Sequence, residues 1–208
     1  MSFSLDWRSC DSMSIDEELL KLEEWTREIY EEKKQWSTEE PLFLEIGCFH
    51  GRSTSILAQF GKVITIDLFS NIDVGIKAYD YIGQMHFTDF IKNMIRLELI
   101  DRVFPVVSTS NFLSVLPKME FDVIFIDGDH HFDQVKKDIY NSLYHLSDKG
   151  LIIFHDYKRC PPFDINDIDR IPDEDAWVGV RVAVDELLEL GGFEIKKYYS
   201  GIVALGRI

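Results

Sequence analysis

The chain has 208 residues, enough for one domain with a full core and too few for two large ones. Hydrophobic residues at 46% and aromatics at 13% exclude a disordered chain. A formal net charge of −15 argues against unaided nucleic-acid binding, which needs clustered Lys and Arg.

The chain begins without a basic-then-apolar signal pattern, and no apolar run reaches spanning length, so a cytoplasmic protein with no membrane partner is expected. Cys10, Cys48 and Cys160 are far apart and form no CxxC pair, which suggests neither a zinc site nor a disulfide framework. Ile15, Leu19, Leu22, Trp25, Ile29 and Trp36 recur at helical spacing and predict an amphipathic helix over 15–36. The acids Glu17, Glu18, Glu23, Glu24, Glu28, Glu31 and Glu32 read as its solvated face. Residues 1–40 are therefore an N-terminal extension whose helix packs on a domain over 41–208, or serves a homodimer.

Strands are predicted at 42–46, 63–67, 103–107, 121–126, 150–155, 193–199 and 202–206, and helices near 52–60, 76–99, 110–116, 132–146 and 179–190. The first five strands alternate with helices, the pattern of a parallel sheet covered on both faces. The last two are joined by Ser200-Gly201 alone, a tight hairpin that makes the final strand antiparallel. Between Asp156 and the last helix lies an irregular acidic segment with Pro161, Pro162 and Pro172, read as a lid at the strands' carboxyl edge. Trp177 beside it is a candidate substrate contact, whereas Trp25, Trp36, Phe87 and Phe90 are better read as core.

Leu42 to Asp67 is the most informative stretch. An apolar strand ends in Glu45-Ile46-Gly47, a turn closes at Gly51, a helix begins with Ser53-Thr54, and a second strand ends in Asp67. This is a nucleoside-binding βαβ unit, in which an acid ending the second strand accepts hydrogen bonds from ribose hydroxyls. A dinucleotide fingerprint would have glycine where Phe49 stands, and that bulk would crowd a pyrophosphate. Glu45 beside the turn repels phosphate and attracts a cation, by roughly 4 kcal/mol at ~4 Å and an effective dielectric near 20, before desolvation. A nucleoside with a positive group and no phosphates fits, and S-adenosylmethionine is such a ligand.

Two further strands end in polar clusters. Phe121–Ile126 runs into Asp127-Gly128-Asp129-His130-His131, and Leu151–Phe154 into His155-Asp156. On neighbouring strands, Asp127, His155 and Asp156 would converge as three N/O donors for a hard divalent ion such as Mg²⁺. Without a metal, His130 or His155 is the candidate general base. Cys48 reads as a packing residue, because no partner base is indicated.

With these residues in view, the chain resembles the class I S-adenosylmethionine-dependent methyltransferases, in their small-molecule O-methyltransferase branch. The resemblance spans about residues 40–206 and implies an α/β, Rossmann-like, doubly wound seven-stranded sheet, mostly parallel with an antiparallel C-terminal hairpin strand. It implies that Glu45, Gly47, Gly51 and Ser53 hold the methionine part of the cofactor, with Asp127 close by. It also implies that Asp67 holds the ribose, that Leu68 lies against adenine, and that Ser108 and Thr109 stand where adenine is contacted. In the metal-dependent members, acids matching Asp127 and Asp156 bind the ion, and His155 is a departure from that pattern. The helix Gly179-Val-Arg-x-Ala-Val-Asp-Glu-Leu also fits this branch.

The expected activity is methyl transfer to a small-molecule acceptor, at a hydroxyl oxygen, with a divalent metal as an added expectation. Competing readings are an NAD-dependent oxidoreductase, a metal-dependent phosphoesterase prompted by Asp129-His130-His131, and a non-catalytic nucleoside-binding protein.

Overall fold

The computed structural model describes residues 6–12, 14–69, 86–157 and 176–208. The proposed lid, Cys160, the Trp177 side chain and the first part of the helix expected at 76–99 lie outside these residues.

Seven strands form one sheet: β1 Leu42–Ile46, β2 Lys62–Asp67, β3 Val103–Val107, β4 Phe121–Ile126, β5 Leu146–Phe154, β6 Phe193–Tyr199 and β7 Ile202–Arg207. The helices are α1 Asp16–Lys33, α2 Arg52–Leu57, α3 His86–Arg96, α4 Phe132–Leu143 and α5 Ala176–Glu189. The sheet order is β3-β2-β1-β4-β5-β7-β6, parallel from β3 to β5, with β7 antiparallel to both its neighbours. The expected architecture is what the chain adopts. Two segments differ from their expected form. Ser110–Val115 is a 3₁₀ turn, and β5 begins at Leu146, which pairs with Phe121 before a bulge leads to the Val123–Leu151 pairing.

The central strands β1, β4 and β7 and the second half of β5 are buried on both faces, so their sequences are near-continuous apolar runs, whereas the edge strands β3 and β6 mix buried and exposed residues. Phe43, Val123, Phe125, Ile153 and Ala204 face a layer built on Leu19, Leu22, Trp25, Ile56 and Phe90. Leu44, Ile124, Ile152, Phe154 and Leu205 face the opposite layer, where Val135, Ile139, Val184 and Leu187 pack. Trp25 and Phe90 are thus core, while Trp36 is exposed.

The strand order reverses between β1 and β4, and at such a switch point the carboxyl ends of the strands diverge into a crevice. At the opposite edge of the sheet, Asp122 accepts hydrogen bonds from Lys33 Nζ at 2.7 Å and Leu42 N at 3.0 Å, which ties the end of α1 to β1 and β4.

Candidate active site

The turn after β1 is shaped by two left-handed glycines. Gly47 has φ +84°, and a Cβ there would lie 2.3 Å from the Asp127 carbonyl oxygen. Gly51 has φ +87°, and its added Cβ would strike Met94 and Phe90. Only glycine can sit at either position, so the turn lies flat against the β4 terminus. Phe49 adopts φ +46° and stacks on His50 with ring centroids 3.8 Å apart. His50 in turn meets His86, Nε2 to Nδ1 at 2.9 Å.

Asp67 closes this turn from below. One carboxylate oxygen accepts the amides of Cys48 at 2.8 Å and Phe49 at 3.1 Å, and the other accepts the Phe69 amide at 2.7 Å. Three of about four lone-pair positions are therefore used by backbone, and one remains for a ligand hydroxyl. Leu68 beside it is 42% exposed, an apolar surface at the crevice mouth. Ser108 is half-buried and donates its amide to the Asp67 carbonyl at 3.1 Å, and Thr109 is exposed next to it.

Glu45 is fully buried on β1, opposite Thr65 of β2. Thr54 Oγ1 donates to its Oε2, whereas Oε1 has no hydrogen-bond partner. Burial pushes the Glu45 carboxyl up to about 7, although the nearby hydroxyls of Ser53, Thr54 and Thr65 oppose the shift. An acid so placed gains from any cation that enters the turn.

The second cluster joins β4, β5 and α1. His155 is buried, its Nδ1 lying 2.9 Å from Asp156 Oδ2 and 3.1 Å from Asp127 Oδ1. Its Nε2 lies 2.9 Å from Glu18 Oε2, an ion-pair distance although the angle is not that of a hydrogen bond. Burial lowers the His155 pKa, but the charges and hydrogen bonds of Asp127, Asp156 and Glu18 outweigh it and hold the pKa well above the usual imidazole value. Asp156 has φ +61°, a strained conformation for a residue with a Cβ. Burial raises its pKa, yet bonds from His130 and His155 win and pull it far below the usual carboxylate range.

His130 is the accessible member, with 21% of its side chain exposed and Nε2 2.9 Å from Asp156 Oδ2. Burial lowers its pKa, but Asp156 and the Asp127 charge overcompensate and raise it. The loop carrying it is pinned by Gly179 of α5, where a Cβ would come within 2.3 Å of the His130 carbonyl oxygen.

The expected metal set was Asp127, His155 and Asp156. The donor atoms that gather within 4.8 Å of one another are instead those of Asp127, His130 and Asp156. The geometry does not favour His155 in either of its expected roles. Both ring nitrogens already face carboxylates, so it offers no lone pair to a metal, and at 6% side-chain exposure it is not placed to take a substrate proton. The fit to a divalent ion is poor for the remaining donors as well. Asp156 Oδ2 is held by two imidazoles, Asp127 Oδ1 faces His155, and Asp127 Oδ2 accepts Ser14 Oγ at 3.3 Å.

Sequence reasoning missed two members of this site, Ser14 and Glu18. Glu18 is 2% exposed, and its Oε1 accepts the Gly201 amide at 2.7 Å. A signal was present: Glu18 precedes Leu22 by four residues and Trp25 by seven, which sets it on the apolar stripe of α1 and not on the charged face. Ser14 carries no comparable signal.

Comparison with known proteins agrees with this fold. Cofactor-bound Rv0187 from MTB superposes with a TM-score of 0.68 at 20% identity, covering 97% of this chain and 85% of that chain. The O-methyltransferase from Bacillus cereus in complex with SAH gives a TM-score of 0.65 at 18% identity, covering 94% and 83%. TomG from Streptomyces achromogenes, an O-methyltransferase in complex with SAM, gives 0.58 at 16% identity, covering 93% and 91%. A curated relative, an uncharacterized protein of Acanthamoeba polyphaga mimivirus, is 30% identical over 122 residues, which is 56% of this chain and 51% of that protein. The chain thus spans about half the length of the curated relative it matches. The family model described as a methyltransferase domain matches residues 44–157, more than half of the sequence and all of the stretch from Glu45 to Asp156. The chain therefore belongs to the methyltransferase-domain family.

Proposed function

We propose that this chain transfers a methyl group from S-adenosylmethionine to a hydroxyl oxygen of a small molecule. One observation carries the reading: the buried Glu45 carboxylate keeps an unpartnered oxygen beside the Gly47–Gly51 turn. That oxygen suits the ammonium group of a methionine moiety and opposes a phosphate. The bulk of Phe49 and the antiparallel β7 count against a dinucleotide-dependent oxidoreductase, and a poor fit to metal counts against a phosphoesterase.

S-adenosylmethionine, when bound, supplies a methyl carbon on a sulfonium, which an acceptor oxygen displaces in line with release of a neutral thioether. The chain's own residues supply position and proton removal. Glu45 and the glycine turn hold the amino-acid end, Asp67 accepts a ribose hydroxyl, and Leu68 with Ser108 and Thr109 borders adenine. His130 is the candidate group to take the acceptor's hydroxyl proton, and Asp156, 2.9 Å from its Nε2, orients the ring and stabilises the resulting imidazolium. The acidic surface favours a neutral or cationic acceptor, such as a sugar, a phenol or an amine-bearing metabolite, over a nucleic acid. A cytosolic setting belongs to the same proposal, supported by the free, buried thiols of Cys10 and Cys48. Among the described residues no helix is long and apolar enough to cross a membrane.

The test is calorimetric titration with S-adenosylhomocysteine, followed by transfer of labelled methyl from S-adenosylmethionine to a panel of sugars and phenols. Micromolar binding lost in Glu45→Ala supports the reading. Binding of NAD with none of S-adenosylhomocysteine overturns it.

A further inference from the structure

Asp67, the acid set to take a ribose hydroxyl, is aimed by amides from two residues whose backbones disfavour a side chain. Phe49 has φ +46° and donates to one carboxylate oxygen at 3.1 Å, beside the Cys48 amide at 2.8 Å. Phe69 has φ +47° and donates to the other oxygen at 2.7 Å. Left-handed phenylalanines are strained, and such strain persists only where the surroundings hold it in place. Both rings are held by α3. Phe69 packs edge-on against Phe87 and Phe90, with ring centroids 4.9 and 5.3 Å apart. Phe49 is stacked flat on His50, and its ring centroid lies 5.1 Å from that of His86.

His50 transmits that hold to the glycine turn. Its side chain is 5% exposed, and its Nε2 meets His86 Nδ1 at 2.9 Å, so one ring donates and the other accepts. Its carbonyl accepts the Asn93 side-chain amide of α3 at 2.9 Å, and its Nδ1 lies 3.9 Å from the exposed Asp11 carboxylate. The α3 helix therefore grips the glycine turn at His50 and the β2 terminus at Phe69, with Asp67 between the two.

We propose that His86 is a positioning residue for recognition of the cofactor ribose: its hydrogen bond locks the His50 ring, which supports Phe49, which delivers its amide to Asp67. Without His86, the His50 Nε2 is a buried polar atom left unpaired, and the ring is driven toward water. The stack under Phe49 is then lost, its backbone relaxes out of the left-handed region, and its amide turns away from Asp67. The carboxylate loses one of the bonds that aim its remaining lone pair at the ligand. This role rests on the S-adenosylmethionine reading of the same site, and the experiment separates the two.

The experiment compares S-adenosylhomocysteine with its 2′,3′-dideoxy analogue by calorimetry on the full chain. The wild type is expected to prefer the hydroxylated ligand by about tenfold or more, as for a hydrogen bond to a carboxylate. His86→Leu keeps bulk and removes the hydrogen bond. Its preference is expected to fall below about threefold, with affinity lost for S-adenosylhomocysteine and nearly unchanged for the analogue. His86→Asn, whose amide can stand where Nδ1 does, should restore the wild-type preference. Thermal unfolding of each ligand-free variant checks its fold, and His86→Ala replaces His86→Leu if that variant does not fold. A His86→Leu that weakens both ligands equally overturns the proposal, because general loosening of the turn would do that. So does a His86→Asn that discriminates no better than His86→Leu. A wild type that binds both ligands equally removes the ribose role of Asp67 and the role of His86 with it. A wild type that binds neither overturns the methyltransferase reading itself, and the positioning role falls with it.

Discussion

The carboxylate of Glu18, on the N-terminal helix, lies 2.9 Å from Nε2 of His155 at the end of the fifth strand, and both side chains are buried. The helix that closes one face of the sheet therefore also sets the charge balance of the catalytic edge. The docked α1 thus supplies one of the carboxylates around His155.

Removing that carboxylate leaves the Gly201 amide without its acceptor and takes from the buried His155 ring the carboxylate at its Nε2. Asp127 and Asp156 still hold the other ring nitrogen, so the loss is partial. Glu18→Ala is expected to cost about 2–3 kcal/mol, toward the low end of what breaking a buried pair costs. Urea denaturation followed by tryptophan fluorescence checks it. A variant as stable as the wild type would show that the contact carries no net energy.

Glu45 makes stability and ligand binding depend on pH in opposite senses. Its carboxyl sits at about 7 in the folded chain against 4.5 ordinarily, so the folded state binds the proton more tightly than the unfolded one. The ligand-free protein loses about 3 kcal/mol as pH rises through this window. His155, raised well above 6.5, contributes stability that is fully present below that value and is lost only as pH climbs through its own raised pKa. A ligand ammonium favours the ionised carboxylate, so S-adenosylhomocysteine is expected to bind more tightly from pH 6 to pH 8, with proton release, for a group with a pKa of about 7. Calorimetry in buffers of different ionisation enthalpy measures that release. Glu45→Gln should abolish it, and its persistence in that variant would assign the proton elsewhere.

Gly47 meets two constraints at once, a left-handed backbone and contact with the Asp127 carbonyl. Gly47→Ala is expected to cost about 3 kcal/mol or more, from αL strain plus the displacement of two strand ends. Thermal unfolding reads the loss. A near-neutral result would mean that the β1 and β4 termini separate easily.

His130→Asn keeps a polar side chain near Asp156 and removes the proton acceptor. Turnover should fall about 10²–10⁴-fold, the range for a lost general base, while S-adenosylhomocysteine affinity stays within about threefold. The wild-type rate should rise with pH through the raised His130 pKa, because only the neutral ring accepts a proton. In Asp156→Asn that limb should move to lower pH, because the partner raising the pKa has gone. A parallel loss of cofactor affinity in His130→Asn would point to a binding role instead.

Most strands and their order of appearance were legible as short apolar runs bounded by Gly, Pro or acids, and β6, Phe-Glu-Ile-Lys-Lys-Tyr-Tyr, through the Ser200-Gly201 turn that joins it to β7. A parallel sheet buried on both faces leaves such runs no other way to hide. The nucleoside turn was legible as well, since Glu45, Gly47, Gly51 and Asp67 lie within one continuous βαβ unit whose spacing fixes their geometry. β5 was read too short, because its first residues pair across a bulge that leaves no mark in local periodicity.

The polar edge was different. The sequence by itself set Asp127 and His130 after one strand and His155 with Asp156 after another; that the two strands are neighbours, so that these carboxylates and imidazoles meet, was supplied by the sheet order. Which imidazole is sealed and which is open was decided only in three dimensions. The α1 helix crosses that edge, and Glu18, one acid within a run of charged residues, turns inward against His155 while Glu17 and Glu24 stay in water. The choice depends on the rotation of a helix about its axis and on where a distant hairpin presents an amide. Helical spacing with Leu22 and Trp25 already sets Glu18 on the inner stripe of α1, but that it meets His155 and the Gly201 amide is fixed by contacts between elements far apart along the chain.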